Sequence, residues 1–169
     1  TATTIYNYFS SKDEIYLIAL TVGFERLFGR MEACGNISDP YARVRAVMDA
    51  YISFGMEEPN YYNIMFTYNV PKYDAYLGKK ERTVALEERR VALKSLRLGV
   101  DLVTEIAQQN TLLSPDKAYR YVMEVWCGLH GLVSLCNSIV MQTVQNDFHV
   151  LKEDMIDCLM GVLCPPNGK

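Results

Sequence analysis

Between Glu124 and Asp147 the chain reads VWCGLHGLVSLCNSIVMQTVQN, twenty-two residues without a formal charge. A helix that is apolar nearly all round has no face to offer water, so it must be covered on both sides. A bilayer would be one such cover, but His130, Asn137, Gln142, Gln145 and Asn146 are poorly placed in hydrocarbon, and the approach to the stretch carries charges and soluble-style capping. The stretch therefore reads as a helix of a soluble fold, with one side in its own core and the other against a second subunit. Gly128, Gly131, Ser134 and Ser138 thin one flank, which lets a neighbouring helix come close. The last helix, with Met155, Ile156, Leu159, Met160 and Val162, is expected to complete a four-helix interface with its symmetry mate, Leu132 and Leu135 lying in or beside it.

The punctuation elsewhere is that of helices, and nothing alternates with period two for long. Ser11 and Glu14 form a capping box, in which hydroxyl and carboxylate each satisfy an orphan N–H at a helix start. Asp39 before Pro40, and Ser114 before Pro115 and Asp116, repeat the device. Pro59 ends the helix begun at Pro40 and opens a short one, PNYYNIMFTY, which NVPKY closes. A long amphipathic helix is expected from Lys79 to Asn110, with Leu86, Leu93, Leu96, Val100, Val103 and Ala107 on its apolar side and KKERTVALEERR as a solvated face. The expected fold is all-α, and 169 residues at 50% hydrophobic content are enough to build one principal core.

A net charge of −3 advertises no global attraction to nucleic acid, and Lys12 is the one basic residue before Arg26. The five cysteines, at 34, 127, 136, 158 and 164, show no C-x-x-C spacing and lie mostly in apolar helical patterns. They read as reduced core thiols of a cytoplasmic protein. Cys127 and His130 alone, without nearby carboxylates, make a weak metal pair, so neither metal nor other cofactor is expected. The sequence starts without Met or a signal peptide and is expected to be part of a longer chain.

In the opening residues, TATTIYNYFSSKDEI, Ile5 and Phe9 can face a core together while Thr3, Tyr6 and Asn7 look outward. So short a helix needs partners to be stable. The segment TATTIYNYFSSKDEIYLIAL resembles the recognition helix and following helix of the tetracycline-repressor (TetR) family of transcriptional regulators. Its pattern, T-[IL]-Y-x-[HY]-F-x-[ST]-K-x-x-[IL], is met in register by Thr4, Ile5, Tyr6, Tyr8, Phe9, Ser11, Lys12 and Ile15. Further on, VWCGLHGLVSL is similar to the Trp-His-Gly segment of one class of ligand-binding domain in that family, with Trp126, His130 and Gly131 in the corresponding places.

The resemblance implies a TetR-like helical bundle, homodimeric through a C-terminal four-helix interface. Residues 1–33 would then be the remnant of a helix-turn-helix domain and the start of a connecting helix, 34–164 a ligand-binding and dimerisation domain, and 165–169 a tail. Family members carry two further helices, and often a basic arm, before this point. By the geometry of a helix in a major groove, Thr1, Ala2, Thr3, Tyr6 and Asn7 are the candidates for base-edge contact, and Tyr8 and Lys12 resemble the phosphate-contacting positions. Tyr6 and Tyr8 as simple packing residues are the competing reading.

Tyr61, Tyr62, Met65, Phe66, Tyr119, Met123, Trp126, His130 and Asn137 are the candidates for a ligand pocket, an apolar cavity with a few hydroxyl and imidazole handles. Ordinary core packing competes for each of them, and a satisfied structural histidine for His130. No lysine, arginine or carboxylate pair belongs to this lining, so the expected effector is apolar or aromatic and at most singly charged. The resemblance implies a ligand-responsive, DNA-binding transcriptional regulator, a repressor rather than an activator, and not an enzyme, its partners double-stranded DNA with a pseudo-palindromic operator, a small-molecule effector and a second copy of itself, with no membrane. The alternative is a helical binding protein or enzyme using the same cavity without DNA. It lacks support, since no nucleophile, base and orienting group fall at helical spacing and no Gly-rich phosphate loop exists.

Overall fold

A computed structural model describes residues 9–164 apart from 70, 72, 139, 140, 142 and 144–146. Helix α1 (Lys12–Glu32) starts where Ser11, in extended conformation, accepts the Glu14 N–H at 3.2 Å. Glu14 reaches back to the Ser10 N–H at 2.6 Å, one residue earlier than the ideal capping box. Helix α2 (Pro40–Glu57) is capped by the Asp39 carboxylate, which accepts from the Tyr41 and Ala42 N–H groups, with Pro40 in its first turn. Helix α3 (Pro59–Tyr62) runs on into a π-helical turn at Asn63–Thr67, whose wider winding is common at functional sites.

A 3₁₀ turn at Tyr73–Tyr76 leads through Gly78, at φ +79°, into helix α4 (Arg82–Gln109). That left-handed backbone is natural to glycine, and it lets the chain reverse into α4. Ser114 was expected to cap the next helix; its hydroxyl instead bonds Asp116, a 3₁₀ turn occupies Pro115–Lys117, and α5 (Ala118–Cys136) begins after it. Helix α6 (Phe148–Leu163) is capped by the Asp147 carboxylate, which accepts from His149 and Val150.

The result is an all-α bundle. Helix α1 packs most extensively on α4, α2 touches α1, α4, α5 and α6, and α5 lies against α4 and α6. Among the described residues, buried side chains of all six α-helices merge into one core, with a satellite of Leu17, Tyr76 and Ala85 near the start of α1. Ion pairs trim the edges: Arg26 with Glu58 at 2.7 Å, Arg30 with Glu57 and Glu58, Arg45 with Glu153 and Asp157, and Lys152 with Asp49. Burial pushes the Glu58 carboxyl up, but hydrogen bonds from Arg26 and Arg30 outweigh it and hold it below the usual carboxylate range.

Several expectations need correction. The uncharged stretch is not one continuous helix: α5 ends at Cys136, and Asn137 and Ser138 form a turn. Leu132 and Val133 are buried in the chain's own core, as are Ile156 and Leu159, because α5 is clasped by α2, α4 and α6 on more of its circumference than its composition suggests. Leu135, at 51% exposure, stays open with Cys127 and Ser134. Gly128 serves a contact within the chain, since a Cβ there would meet Leu159 Cδ2 at 2.7 Å, whereas nothing lies within 4 Å of a Cβ at Gly131. Cys127, Cys158 and Cys164 are exposed and Cys34 and Cys136 half-buried, so they are free thiols but not core ones. On α4, Leu86 is exposed, while Glu81 and Glu88 of the supposed solvated face are buried. Among the described residues, no helix is long and apolar enough to cross a membrane.

Candidate functional site

A cavity of about 440 Å³ lies between α1, α2, α4 and α5. Helix α1 supplies Phe24, Leu27 and Met31, α2 supplies Val44, Val47, Met48 and Tyr51, and the π-helical turn supplies Met65 and Phe66. Helix α5 contributes Val122, Val125, Trp126 and Leu129. The α4 wall runs from Glu88 and Arg89 through Ala92, Ser95 and Gly99 to Val103. Asp74 and Arg89 are exposed, and the Arg89 guanidinium lies 5.0 Å from the centre of the Tyr73 ring, so the cavity reaches the surface beside the 3₁₀ turn. A volume of this size, mostly apolar with a few polar groups, matches a small-molecule site.

Behind the π-helical turn a chain of polar contacts stitches three helices together. The Trp126 indole N–H donates to the Tyr51 hydroxyl at 3.0 Å, the Tyr51 and Tyr62 hydroxyls are 3.5 Å apart, and the Tyr62 hydroxyl lies 2.5 Å from His130 Nδ1. Burial holds the His130 imidazole below its ordinary value, so the neutral ring with its proton on Nε2 suits a hydroxyl donating to Nδ1. Burial likewise pushes the Tyr51 phenol up to about 12 and the Tyr62 phenol further, so both stay protonated. The Phe66 ring packs against Tyr62, Trp126, His130 and Phe24 with centroids 5.1 to 6.0 Å apart, which joins this network to the cavity wall.

Of the pocket residues expected from the sequence, Met65, Phe66 and Trp126 line the cavity. Tyr62 and His130 stand one layer back in the network. Asn137 is a fastener, its Nδ2 donating to the Gly55 carbonyl at 3.0 Å. Tyr61 lies outside, under the Arg26 guanidinium, Met123 is half-buried away from the wall, and Tyr119 is 57% exposed. The reading missed Tyr51 and the whole α1 and α4 walls. It also missed that two carboxylates and a guanidinium, those of Asp74, Glu88 and Arg89, belong to the lining. A signal for α4 was present, since Glu88, Ala92, Ser95 and Gly99 recur at helical spacing among its leucines.

Of the DNA-contact candidates, Thr1, Ala2, Thr3, Tyr6, Asn7 and Tyr8 lie outside the described residues. Lys12 is exposed at the first turn of α1, its ammonium 5.4 Å from the Tyr16 ring centre. The joint just before it is gripped by the start of α4: the Lys80 ammonium donates to the Ser10 carbonyl at 2.9 Å, and the Ser11 hydroxyl donates to Glu81 at 2.7 Å. That hydrogen bond pulls the Glu81 carboxyl below the usual carboxylate range. The helix that forms one cavity wall therefore also holds the segment leading back toward residues 1–8.

Comparison with known proteins agrees with this architecture. No curated protein matches the chain. A solved structure of a protein of unknown function from Rhodococcus sp. RHA1 superposes with a TM-score of 0.71 at 20% identity, over 90% of this chain and 73% of that one. A crystal structure of a candidate regulatory protein, SCO4313, gives 0.69 at 19% identity, over 95% of this chain and 79% of that one. The family described as "Tetracyclin repressor-like, C-terminal domain" matches residues 44–159, which takes in most of α2 through most of α6 and every wall of the cavity except the one from α1. The chain belongs to the tetracycline-repressor family of regulators.

Proposed function

We propose that the chain is the effector-binding and dimerising part of a ligand-responsive, DNA-binding transcriptional regulator, a homodimeric repressor released when a small, largely apolar molecule fills the cavity. The observation that carries this reading is the cavity's position: α1 is both one of its walls and the helix that follows the segment resembling a recognition helix. At Gly23 a Cβ would meet Met65 Sδ at 2.6 Å, so α1 approaches the π-helical turn very closely. A ligand that displaces Met65 or Phe66 pushes on α1 directly, and one that shifts α4 acts on Ser10 and Ser11 through Lys80 and Glu81.

Paired recognition helices must stand about 34 Å apart to enter successive major grooves. An effector that favours the wrongly spaced arrangement about a hundredfold biases the equilibrium by about 2.7 kcal/mol, enough to release an operator held by a comparable margin. The test is operator binding by the full-length protein, titrated with an apolar compound panel, in wild type and Ala92→Phe. The phenyl ring should occupy the cavity as the effector does, weakening operator binding before any compound is added and leaving little further release. Equal release in both proteins would move the effector site elsewhere.

A further inference from the structure

Helix α4 faces the cavity with a row of small side chains, Ala92, Ser95 and Gly99, spaced three and four apart. The row ends where α4 closes on α5, since a Cβ at Gly99 would stand 3.3 Å from Val122 Cγ1. Small residues on a wall leave volume beside it, and here that volume adjoins a polar atom. Ser95 Oγ is buried and, among the described residues, is the one buried side-chain oxygen or nitrogen without a hydrogen-bond partner. A hydroxyl in mid-helix ordinarily turns back to the carbonyl four residues earlier, as Thr21 does onto Leu17 at 2.8 Å and Thr104 onto Val100 at 2.7 Å. Ser95 makes no such bond to Val91, and rotation about one side-chain bond carries its hydroxyl to the cavity side. Other polar groups of the lining are already committed. The Tyr51 hydroxyl accepts the Trp126 indole N–H, Glu88 has its own partner within the protein, and Asp74 and Arg89 stand exposed at the rim.

We propose that Ser95 is the specificity-determining contact of the cavity: the effector carries one neutral oxygen, a hydroxyl or a carbonyl, on an otherwise apolar body, and that oxygen accepts from the Ser95 hydroxyl. This rests on the cavity being the effector site. An occupant that is apolar throughout drives water from the cavity and leaves the hydroxyl stranded, whereas an oxygen at that place supplies its partner. A site built to hydrogen-bond one group discriminates against the analogue that lacks it. An ion at the same place would exchange its hydration shell for one neutral hydroxyl. The small side chains of Ala92 and Gly99 on either side of Ser95 leave room for the apolar body against α4.

The experiment titrates the full chain, wild type and Ser95→Ala, with butylbenzene, 4-phenylbutanol, benzylacetone and 4-phenylbutyrate, one apolar body bearing no oxygen, a hydroxyl, a carbonyl or a carboxylate. Binding is followed by the emission of Trp126, the only tryptophan of the chain and part of the same lining. Ser95→Ala should weaken the alcohol and the ketone at least about fivefold and leave butylbenzene within about twofold. The carboxylate should bind the wild type weakest of the four. Without ligand the variant should melt at or above the wild-type temperature, since the atom removed has no bond to lose. Equal changes for all neutral probes, no change for any, tightest binding by the carboxylate, or a lower melting temperature of the unliganded variant overturns this inference and leaves the effector site standing. Failure of all four to perturb Trp126 in the wild type overturns both.

Discussion

Replacing Tyr62 with Phe removes one oxygen and leaves the surrounding packing in place. The ring is fully buried, and its contacts with Phe66 and His130, at centroid distances of 5.1 and 5.5 Å, survive in phenylalanine. What goes is the 2.5 Å contact to His130 Nδ1, a longer one of 3.3 Å to the His130 carbonyl, and the 3.5 Å contact to Tyr51. Tyr51 still accepts from Trp126, so the groups stranded are His130 Nδ1 and, across its longer contact, the Tyr51 O–H that had the Tyr62 oxygen as acceptor. Leaving a buried acceptor unsatisfied costs about 1–3 kcal/mol. His130 is half-buried, so water can partly replace the hydroxyl, and the lower half of that range is expected. For a domain of this size the melting temperature should fall by about 2–4 °C for each kcal/mol. Urea and thermal unfolding of Tyr62→Phe, His130→Phe and the double variant would complete a cycle with a coupling energy near 1 kcal/mol. A Tyr62→Phe variant within about 0.3 kcal/mol of wild type, or a strictly additive cycle, would refute the claim that this hydroxyl satisfies the imidazole.

Gly55→Ala should destabilise by about 1–3 kcal/mol in urea melts despite a better helix propensity, because overpacking outweighs it. Its Cβ would stand 2.4 Å from Val133 Cγ1 and 3.0 Å from the Tyr62 ring, and neither fully buried side chain can yield; unchanged stability would mean that α2 and α5 are not so close. Burial lowers the His130 pKa from its ordinary 6.5, so the unfolded chain takes up that proton first as pH falls. The stability held by the neutral ring is intact above that value and is lost as pH drops through the folded one; a decline of the same size in His130→Phe would acquit the histidine. On the homodimer reading, Leu135→Asp should weaken self-association at least about tenfold in sedimentation while the chain stays folded, whereas Leu132→Asp should unfold it; a monomeric wild type at micromolar concentration would end that reading.

The helix starts were legible because each cap is a local chemical event. Ser11, Asp39 and Pro59 sit where their side chains or rings require, and the helices begin beside them. Ser114 misled because its hydroxyl has a second local option, Asp116, that a pattern of letters ranks equally. Trp126, Met65 and Phe66 were legible as cavity residues because aromatics and methionines clustered on two segments can hardly avoid one another. The α1 wall was not legible, and the α4 stripe of Glu88, Ala92, Ser95 and Gly99 was legible as a helical face but not as the wall of a cavity. Phe24, Leu27 and Val103 look like any core residue, and which of a helix's apolar side chains face a void depends on how its neighbours stop short of contact. Glu88 was misjudged because its neighbours Glu87 and Arg89 are exposed, and composition cannot say which member of a charged run turns inward. The dimer expectation placed Leu132 outward for a related reason, since intrachain contacts with three helices were invisible in a single helix's composition.

The central claim is that occupancy of the cavity between α1, α2, α4 and α5 sets affinity for DNA. The most direct measurement follows one titration of the full-length regulator on its operator by two signals, Trp126 emission for the cavity and the anisotropy of a labelled duplex for DNA. The account predicts that both transitions share one midpoint, and that Ala92→Phe, which fills the cavity itself, blunts both and weakens operator binding before any effector is added. Saturation of the Trp126 signal with the duplex still bound would contradict it.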